Sequence, residues 1–135
     1  ATARSMAAEE GNAHQIEFRV GDALRDDVGS GWDLILLANL VHLFRRDQNR
    51  DFFQRLHAAL NPGGTLVILD QFTGMGSLRD LLPAMISVNL FTVGGRCHRL
   101  SDVRELLESA GFGPLRVRAF VPWRPSCLIQ ATKSA

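Results

Sequence analysis

Four polar side chains in the central part of this sequence stand where they could do chemistry: Asp22, Asn39, His42 and Asp70. Each one follows or ends a short segment whose pattern predicts a strand, and ligands of open α/β sheets bind at the carboxyl ends of the strands. The imidazole of His42 can gain or lose a proton near neutral pH, and the two carboxylates can accept hydrogen bonds. We therefore take these four residues as the predicted chemical centre of the chain.

Three of these residues also have a structural interpretation that needs no ligand. Asp22 follows a glycine and is a common turn residue. His42 could bond backbone groups at the start of a helix, and Asp70 could cap or turn the chain where its strand ends. A functional interpretation requires that the fold brings these side chains to one edge of the sheet.

Two apolar runs on either side of a helical segment must position these residues. Residues 34–38 are too few for a globular helix and are typical of a parallel strand buried on both faces. Residues 65–69 form a second such run, directly after the turn signal at 61–64. Between the runs we predict a helix from Asp47, as its N-cap, to about Leu60. This order predicts a doubly wound α/β sheet.

The flanking segments extend the α/β pattern. Residues 16–20 alternate between apolar and polar and predict a half-buried strand. Residues 115–121 and 126–132 predict two antiparallel strands joined by a short turn at 122–125. Further helices are predicted at residues 1–10, at residues 78–92 and between Ser101 and Gly111. A sheet with such a C-terminal hairpin belongs to a narrower class than a plain Rossmann sheet.

Composition excludes several classes of function. The 135 residues fit one domain at most, and a net charge of +1 leaves no electrostatic footprint for nucleic acid or an anionic membrane. Cys97 and Cys127 have no paired spacing, and neither His14 nor His98 has a partner at metal-ligand spacing, so we predict no metal site. No apolar run approaches the roughly 18 residues of a membrane span, and no signal-peptide pattern opens the chain. We expect a cytoplasmic protein.

Four motifs occur in order along nearly the whole chain, and they carry a resemblance to a known family. They are Gly21-Asp22-Ala23-Leu24, residues 32–42, residues 61–70, and Ser109-Ala110-Gly111-Phe112. In this order they resemble the second half of a class I S-adenosylmethionine-dependent methyltransferase. More narrowly, they resemble the small-molecule O-methyltransferases of plant caffeate type and their bacterial polyketide-tailoring relatives. Any one motif is weak evidence, but four in order at suitable spacing are fairly specific.

The resemblance implies how the cofactor, S-adenosylmethionine, would be held. Asp22 matches the acidic residue that accepts a hydrogen bond from the adenine amino group, and Ala23 would lie against the adenine ring. Ala38 and Asn39 match the end of the strand that passes the methionine part of the cofactor.

The resemblance also implies catalytic roles. His42 falls where these enzymes place the general base, and Asp70 matches a glutamate that orients this base. Two positions depart from the family pattern: Cys97 stands where the plant enzymes have a second orienting glutamate, and Leu43 where an acidic residue often follows the base.

A larger departure lies upstream of Gly21. The family's glycine-rich loop and its ribose-binding acidic residue are absent, and so are two strands and a dimerising helical domain. We therefore predict that residues 1–135 are the C-terminal portion of one methyltransferase domain, whose Rossmann-like sheet lacks its first two strands. The family's strand order is 3-2-1-4-5-7-6, so the strand at residues 16–20 would face a two-strand gap. We expect residues 1–20 to pack elsewhere, or against a second copy in a homodimer.

The function that these expectations favour is methyl transfer from S-adenosylmethionine to a hydroxyl of a small molecule. Four apolar side chains could line an acceptor pocket or simply pack the core: Met75, Met85, Phe91 and Trp123. The family could also methylate nitrogen or carbon, and the sequence does not separate these from oxygen. Two other classes of function stay open. One is a degenerate or truncated methyltransferase half that acts as a non-enzymatic dimerisation or binding module. The other is a nicotinamide-dependent dehydrogenase, which the missing glycine fingerprint and the terminal hairpin disfavour.

Overall fold

The computed structural model describes residues 2–76, 80, 85, 87–88, 90, 95–119 and 126–134. Its α-helices are α1 (Thr2–Glu9), α2 (Arg46–Ala59) and α3 (Leu100–Ser109). Two short 3-10 turns, η1 (Ala13–Gln15) and η2 (Val41–Leu43), lie between them. The strands are β1 (Trp32–Ala38), β2 (Leu60–Gln71), β3 (Phe112–Ala119) and β4 (Ser126–Lys133), and they form a mixed sheet in the order β1-β2-β4-β3.

The sheet combines one parallel pair with two antiparallel pairs. β1 runs parallel to β2 in a register that joins Leu34 to Thr65, and α2 forms the crossover between them. β4 is antiparallel to both of its neighbours, pairing Ile129 with Ile68 of β2 and with Val117 of β3. The predicted α/β class, with an antiparallel pair at the C-terminal side of the sheet, is confirmed.

The hydrophobic core lies between one face of this sheet and the helices α2 and α3. Its largest fully buried side chains come from both helices, from the middle of the sheet and from the residue after β2. They are Phe53, Phe72, Leu56, Leu66, Ile68, Leu107 and Ile129. Full burial of a side chain of this size stabilises a fold by about 1.5–3 kcal/mol. The carboxyl ends of β1 and β2 are therefore fixed by a packed layer beneath them.

The prediction that β1 is buried on both faces is wrong. Leu34 and Leu36 are each 60 % exposed, whereas Leu37, on the opposite face of the strand, is buried. The physical reason is that α2 packs against the face that carries Leu37, whereas the opposite face is largely open to solvent. The continuous apolar run therefore predicted the strand correctly, but it did not show whether one or both faces of the strand are buried.

The strand predicted at residues 16–20 is not formed. Ile16 is 45 % exposed and the side chain of Val20 is fully exposed. Phe18 contacts α1 instead, because Arg4 donates a hydrogen bond to its carbonyl at 3.2 Å and lies over its ring. A strand needs a partner for its backbone groups, and among the described residues no strand pairs with this segment.

Two helix caps also differ from their predictions. α2 begins at Arg46 rather than after Asp47, since the Gln48 side chain accepts the backbone N–H of Arg45 at 2.9 Å. α3 begins at Leu100, so Ser101 lies inside its first turn. The helix predicted at 78–92 lies largely outside the described residues, and the turn at 122–125 lies wholly outside them. Within the described part of the chain, no helix combines the length and the hydropathy needed to cross a membrane.

Candidate functional site

The carboxyl ends of β1 and β2 lie side by side, which brings three of the four predicted residues to one edge of the sheet. Ala38, the last residue of β1, pairs with Leu69 of β2. The N–H of Asn39 donates to the Leu69 carbonyl at 2.9 Å, so the pairing extends one residue beyond the strand. Asn39 has a φ of +52°, a left-handed conformation that asparagine tolerates better than most residues. The turn η2 follows and carries His42 to Asp70.

His42 and Asp70 form a hydrogen-bonded pair. His42 Nδ1 lies 2.8 Å from Asp70 Oδ1, and the backbone N–H of His42 donates to Asp70 Oδ2 at 3.2 Å. The backbone N–H of Gln71 donates to Oδ1 as well, at 2.8 Å. The Asp70 side chain is 1 % exposed, while that of His42 is 16 % exposed. The carboxylate is thus buried behind a histidine whose ring reaches solvent.

This arrangement defines what the pair can do chemically. An ionised carboxylate only accepts hydrogen bonds, so the proton of the neutral imidazole lies on His42 Nδ1. The lone pair then lies on Nε2, the atom that a general base would use. Asp70 also fixes the position of the ring, because it holds both the side chain and the backbone of His42.

Two buried polar side chains that the sequence analysis did not select support η2 from behind. Asn49 of α2 is fully buried and donates from Nδ2 to the Val41 carbonyl at 3.0 Å. His98 Nε2 lies 2.8 Å from the Phe44 carbonyl and donates to it. Burial lowers the pKa of His98. These bonds hold the backbone on both sides of His42.

The signal that could have found Asn49 was its place on α2. It lies three and four residues before Phe52 and Phe53, on the helix face that the apolar pattern predicts to be buried. A buried amide needs hydrogen-bond partners, and here the partner is the turn that carries His42.

The segment before α3 closes over the same turn. The backbone N–H of Arg96 donates to the His42 carbonyl at 2.8 Å. A Cβ atom at Gly95 would lie 2.8 Å from that carbonyl oxygen, so the approach requires glycine. Cys97 follows and is buried, and its backbone N–H donates to Ser87 Oγ at 3.2 Å.

Neither cysteine of the chain is suited to act as a nucleophile. Burial raises the pKa of the Cys97 thiol. Burial raises the pKa of Cys127, next to Asp70 in the sheet register, to about 11. The thiolate is the nucleophilic form, so both groups are unreactive at neutral pH.

Asp22 and Ala23 lie in a different place, on a loop beside a cavity of about 470 Å³. The cavity is lined by these two residues together with, among others, Glu17, Val28 and Trp32. The side chain of Asp22 is 52 % exposed. Of the described residues, neither member of the histidine–aspartate pair lines this cavity, so the structure divides the predicted centre into two parts.

The other predicted contact residues have varied surroundings. Ala38 and Asn39 are exposed at the sheet edge beside η2. Met75 is partly buried against the core, and Met85 is 62 % exposed. The remaining two candidates for an acceptor pocket, Phe91 and Trp123, lie outside the described residues.

The sheet order β1-β2-β4-β3 agrees with strands 4-5-7-6 of the methyltransferase sheet that the resemblance implies. A family model described as an O-methyltransferase domain matches residues 1–113. Because this match covers most of the chain, the chain belongs to the O-methyltransferase family, and the resemblance stated from its motifs is confirmed.

The curated relatives are methyltransferases that are named for transfer to carbon or to oxygen. The chain is 27 % identical over 131 residues to L-tyrosine C(3)-methyltransferase of Streptomyces lavendulae, covering 93 % of this chain and 36 % of that protein. It is 29 % identical to acetylserotonin O-methyltransferase of Rattus norvegicus, covering 87 % of this chain and 27 % of that protein.

Among solved structures, the S-adenosylmethionine-dependent methyltransferase SibL superposes with a TM-score of 0.83 at 24 % identity. The superposition covers 98 % of this chain and 40 % of SibL. The chain thus spans about a third of the length of the two curated relatives and two fifths of the solved one. The predicted methyltransferase fold and S-adenosylmethionine as the family's cofactor are confirmed.

Proposed function

We propose that this chain carries the adenine-contact and acceptor sides of a site that transfers a methyl group from S-adenosylmethionine to a hydroxyl of a small molecule. The observation that carries the proposal is the His42–Asp70 pair, with its 2.8 Å hydrogen bond, at the carboxyl edge of the sheet. S-adenosylmethionine supplies an electrophilic methyl carbon when bound. The protein then has to hold the acceptor oxygen in line with that carbon and remove its proton.

His42 is the residue we assign to proton removal. The free lone pair of its Nε2 would accept the hydroxyl proton, and the imidazolium that results would be stabilised by the buried carboxylate of Asp70. Among the described residues, the Asp70 carboxylate accepts hydrogen bonds only from His42 and from the backbone of Gln71, so its role is to position the base and to stabilise its charged form.

The residues beside the 470 Å³ cavity fit an adenine ring. Asp22 presents a half-exposed carboxylate that can accept a hydrogen bond from an exocyclic amino group. Ala23, Val28 and Trp32 offer apolar surface to the ring. We assign the methionine part of the cofactor to Ala38 and Asn39, which are exposed at the sheet edge.

A calorimetric titration with S-adenosylhomocysteine tests the cofactor half of the proposal. It is performed on the 135-residue chain and on the same chain joined to the upstream part of a curated relative, which supplies a glycine-rich loop. One-to-one binding by the joined chain supports the proposal, and Asp22→Ala should then weaken that binding by about tenfold or more. If neither chain binds, the proposal is wrong.

A second experiment tests the base. The joined chain is incubated with S-adenosylmethionine and a panel of small phenols, and released S-adenosylhomocysteine is measured. We expect His42→Gln to lower kcat by about 10²–10⁴-fold, the usual contribution of a general base. The matched control is His14→Gln, because His14 is an exposed histidine on η1. Equal activity of the two variants would exclude His42 as the base.

One observation favours a second function, that of a non-enzymatic binding or dimerisation module. Leu34 and Leu36 expose apolar surface on β1, at the unpaired edge of the sheet. Exposed apolar surface next to open strand edges is characteristic of association sites. Under this alternative the chain would self-associate but bind no S-adenosylhomocysteine, and sedimentation of Leu34→Lys and Leu36→Lys variants would separate the two functions.

A further inference from the structure

Arg55 of α2 reaches across to the loop that carries Asp22. Its Nη1 donates hydrogen bonds to the carbonyl of Ala23 at 3.2 Å and to that of Leu24 at 2.7 Å. Its Nη2 donates to the carbonyl of Asp26. One guanidinium therefore binds three carbonyls of a single loop, about thirty residues away in the sequence.

The guanidinium is suited to this role by its shape and surroundings. It presents several N–H donors in a rigid planar fork, and bonds from a charged donor are stronger than neutral ones. The ring of Phe52 lies 5.9 Å from its central carbon. Among the described residues, no carboxylate lies within ion-pair distance of Arg55. The loop carbonyls are thus its principal polar partners.

The loop depends on such support because it belongs to no helix or strand. Its internal bonds include those from the Asp22 N–H to Asp26 Oδ2 at 2.7 Å, from the Leu24 N–H to Asp22 Oδ1 at 2.9 Å and from the Asp26 N–H to the Asp22 carbonyl at 2.8 Å. A Cβ atom at Gly21 would lie 2.6 Å from Asp26 Oδ2, so a larger residue there would displace the carboxylate that accepts the Asp22 N–H. These bonds satisfy N–H groups, whereas the carbonyls of Ala23, Leu24 and Asp26 are satisfied by Arg55.

We infer that Arg55 is a positioning residue for the cofactor: it fixes the loop at residues 22–26 from α2, so that Asp22 and Ala23 face the cavity. This inference rests on the proposed function, since it assigns the cavity to adenine. Arg55 itself need not touch the ligand. Its loss should weaken cofactor binding and leave the His42–Asp70 pair unchanged.

The first test reads loop order without any ligand. Amide hydrogen exchange is measured on the 135-residue chain for wild type, Arg55→Ala, Arg55→Lys and the control Arg50→Ala. Arg50 lies on the same helix and is exposed, and within the described part of the chain its ion-pair partner is its neighbour Asp51 alone. In Arg55→Ala we expect exchange of the Leu24 and Asp26 amides to rise by about tenfold to a hundredfold.

The Arg55→Lys variant keeps the charge but not the fork, so we expect an intermediate effect. It also provides a second variant if Arg55→Ala does not fold. Loop exchange in both folded variants equal to that of Arg50→Ala would overturn the inference.

The second test reads cofactor affinity in the joined chain. We expect the Kd for S-adenosylhomocysteine to rise by about tenfold or more in Arg55→Ala, with the KM of the acceptor and kcat at saturating cofactor unchanged. An equal loss of kcat, or an unchanged Kd, would overturn the assignment to the cofactor side. If wild type binds no S-adenosylhomocysteine, the proposed function and the cofactor role fail together, while the exchange data still decide whether Arg55 holds the loop.

Discussion

Replacement of Asp70 by asparagine tests how the carboxylate holds His42. Three N–H donors converge on its two oxygens: Nδ1 of His42 and the backbone of Gln71 on Oδ1, and the backbone of His42 on Oδ2. Asparagine has the same shape, but it offers one oxygen and one NH2 group that donates. The variant therefore cannot serve all three donors.

The count of donors decides how the asparagine amide orients. When the asparagine oxygen takes the Oδ1 position, it accepts hydrogen bonds from His42 Nδ1 and from the Gln71 N–H. The asparagine NH2 group then lies at the Oδ2 position, where it meets the backbone N–H of His42, which is also a donor. In the opposite orientation, the asparagine oxygen accepts only from the His42 backbone N–H, and the NH2 group meets the Gln71 N–H. The first orientation is favoured, so the proton of the neutral His42 ring should stay on Nδ1.

The energetic cost follows from the same count. One buried N–H loses its acceptor, which costs about 1–3 kcal/mol, and two bonds lose their charge assistance. Removal of a buried carboxylate offsets part of this loss. We expect the free energy of unfolding to fall by about 1–3 kcal/mol.

Urea unfolding followed by circular dichroism measures the stability change, and ¹⁵N NMR of labelled histidine reports the ring tautomer. The control is Asp51→Asn, which removes an exposed carboxylate of α2 and should change the unfolding free energy by less than about 1 kcal/mol. The reasoning is refuted if wild-type His42 carries its proton on Nε2, or if Asp70→Asn is as stable as the control.

Two further predictions concern the support of η2. Burial lowers the pKa of His98 in the folded state below its ordinary value of 6.5. In acid the unfolded chain therefore binds more protons than the folded chain does. The stability that His98 contributes is full above about pH 6.5 and is lost as the pH falls towards the lowered pKa of the folded state. His98→Gln keeps an N–H for Phe44 but does not titrate, so its unfolding free energy should fall less between pH 7 and 5 than that of wild type; an identical slope would show that His98 does not titrate in this way. Gly95→Ala should destabilise the fold by about 1–3 kcal/mol and shift the NMR signals of His42, because its Cβ would meet the His42 carbonyl at 2.8 Å. Gly113→Ala, which adds a Cβ to open space, should do neither in the same unfolding and NMR measurements.

The strand pattern predicted that His42 and Asp70 lie at the same edge of the sheet, because His42 follows one strand and Asp70 ends the next, and the helix between these strands implies that they are parallel neighbours. That Asp70 orients His42 was implied by the family resemblance. Through the family resemblance, the sequence also implied that Asp22 and Ala23 contact adenine, although the strand expected before them is not formed. A strand depends on a partner, and a run such as 16–20 carries no information about whether one is present.

Asn49 and His98 could not be assigned by the same reasoning. His98 and Phe44 are 54 residues apart, and their contact exists only because the segment before α3 crosses η2. The apolar face of α2 indicates that Asn49 is buried but not which groups it bonds, and the burial of His98 depends on tertiary packing that local patterns do not encode. The N-cap prediction for α2 was wrong for a related reason, because the backbone N–H of Arg45 is satisfied by the downstream side chain of Gln48.

The two parts of the candidate site are coupled through one helix. Asn49 holds the turn that carries His42, and Arg55 holds the loop that carries Asp22; both lie on α2. Six residues separate them, which is a rise of about 9 Å along the axis and places them on different faces of the helix. The packed core fixes α2 through Phe53. The separation between base and adenine loop is therefore set by the register of a buried helix, and a change that shifts α2 should disturb both parts together, whereas Arg55 and Asn49 variants should each disturb one.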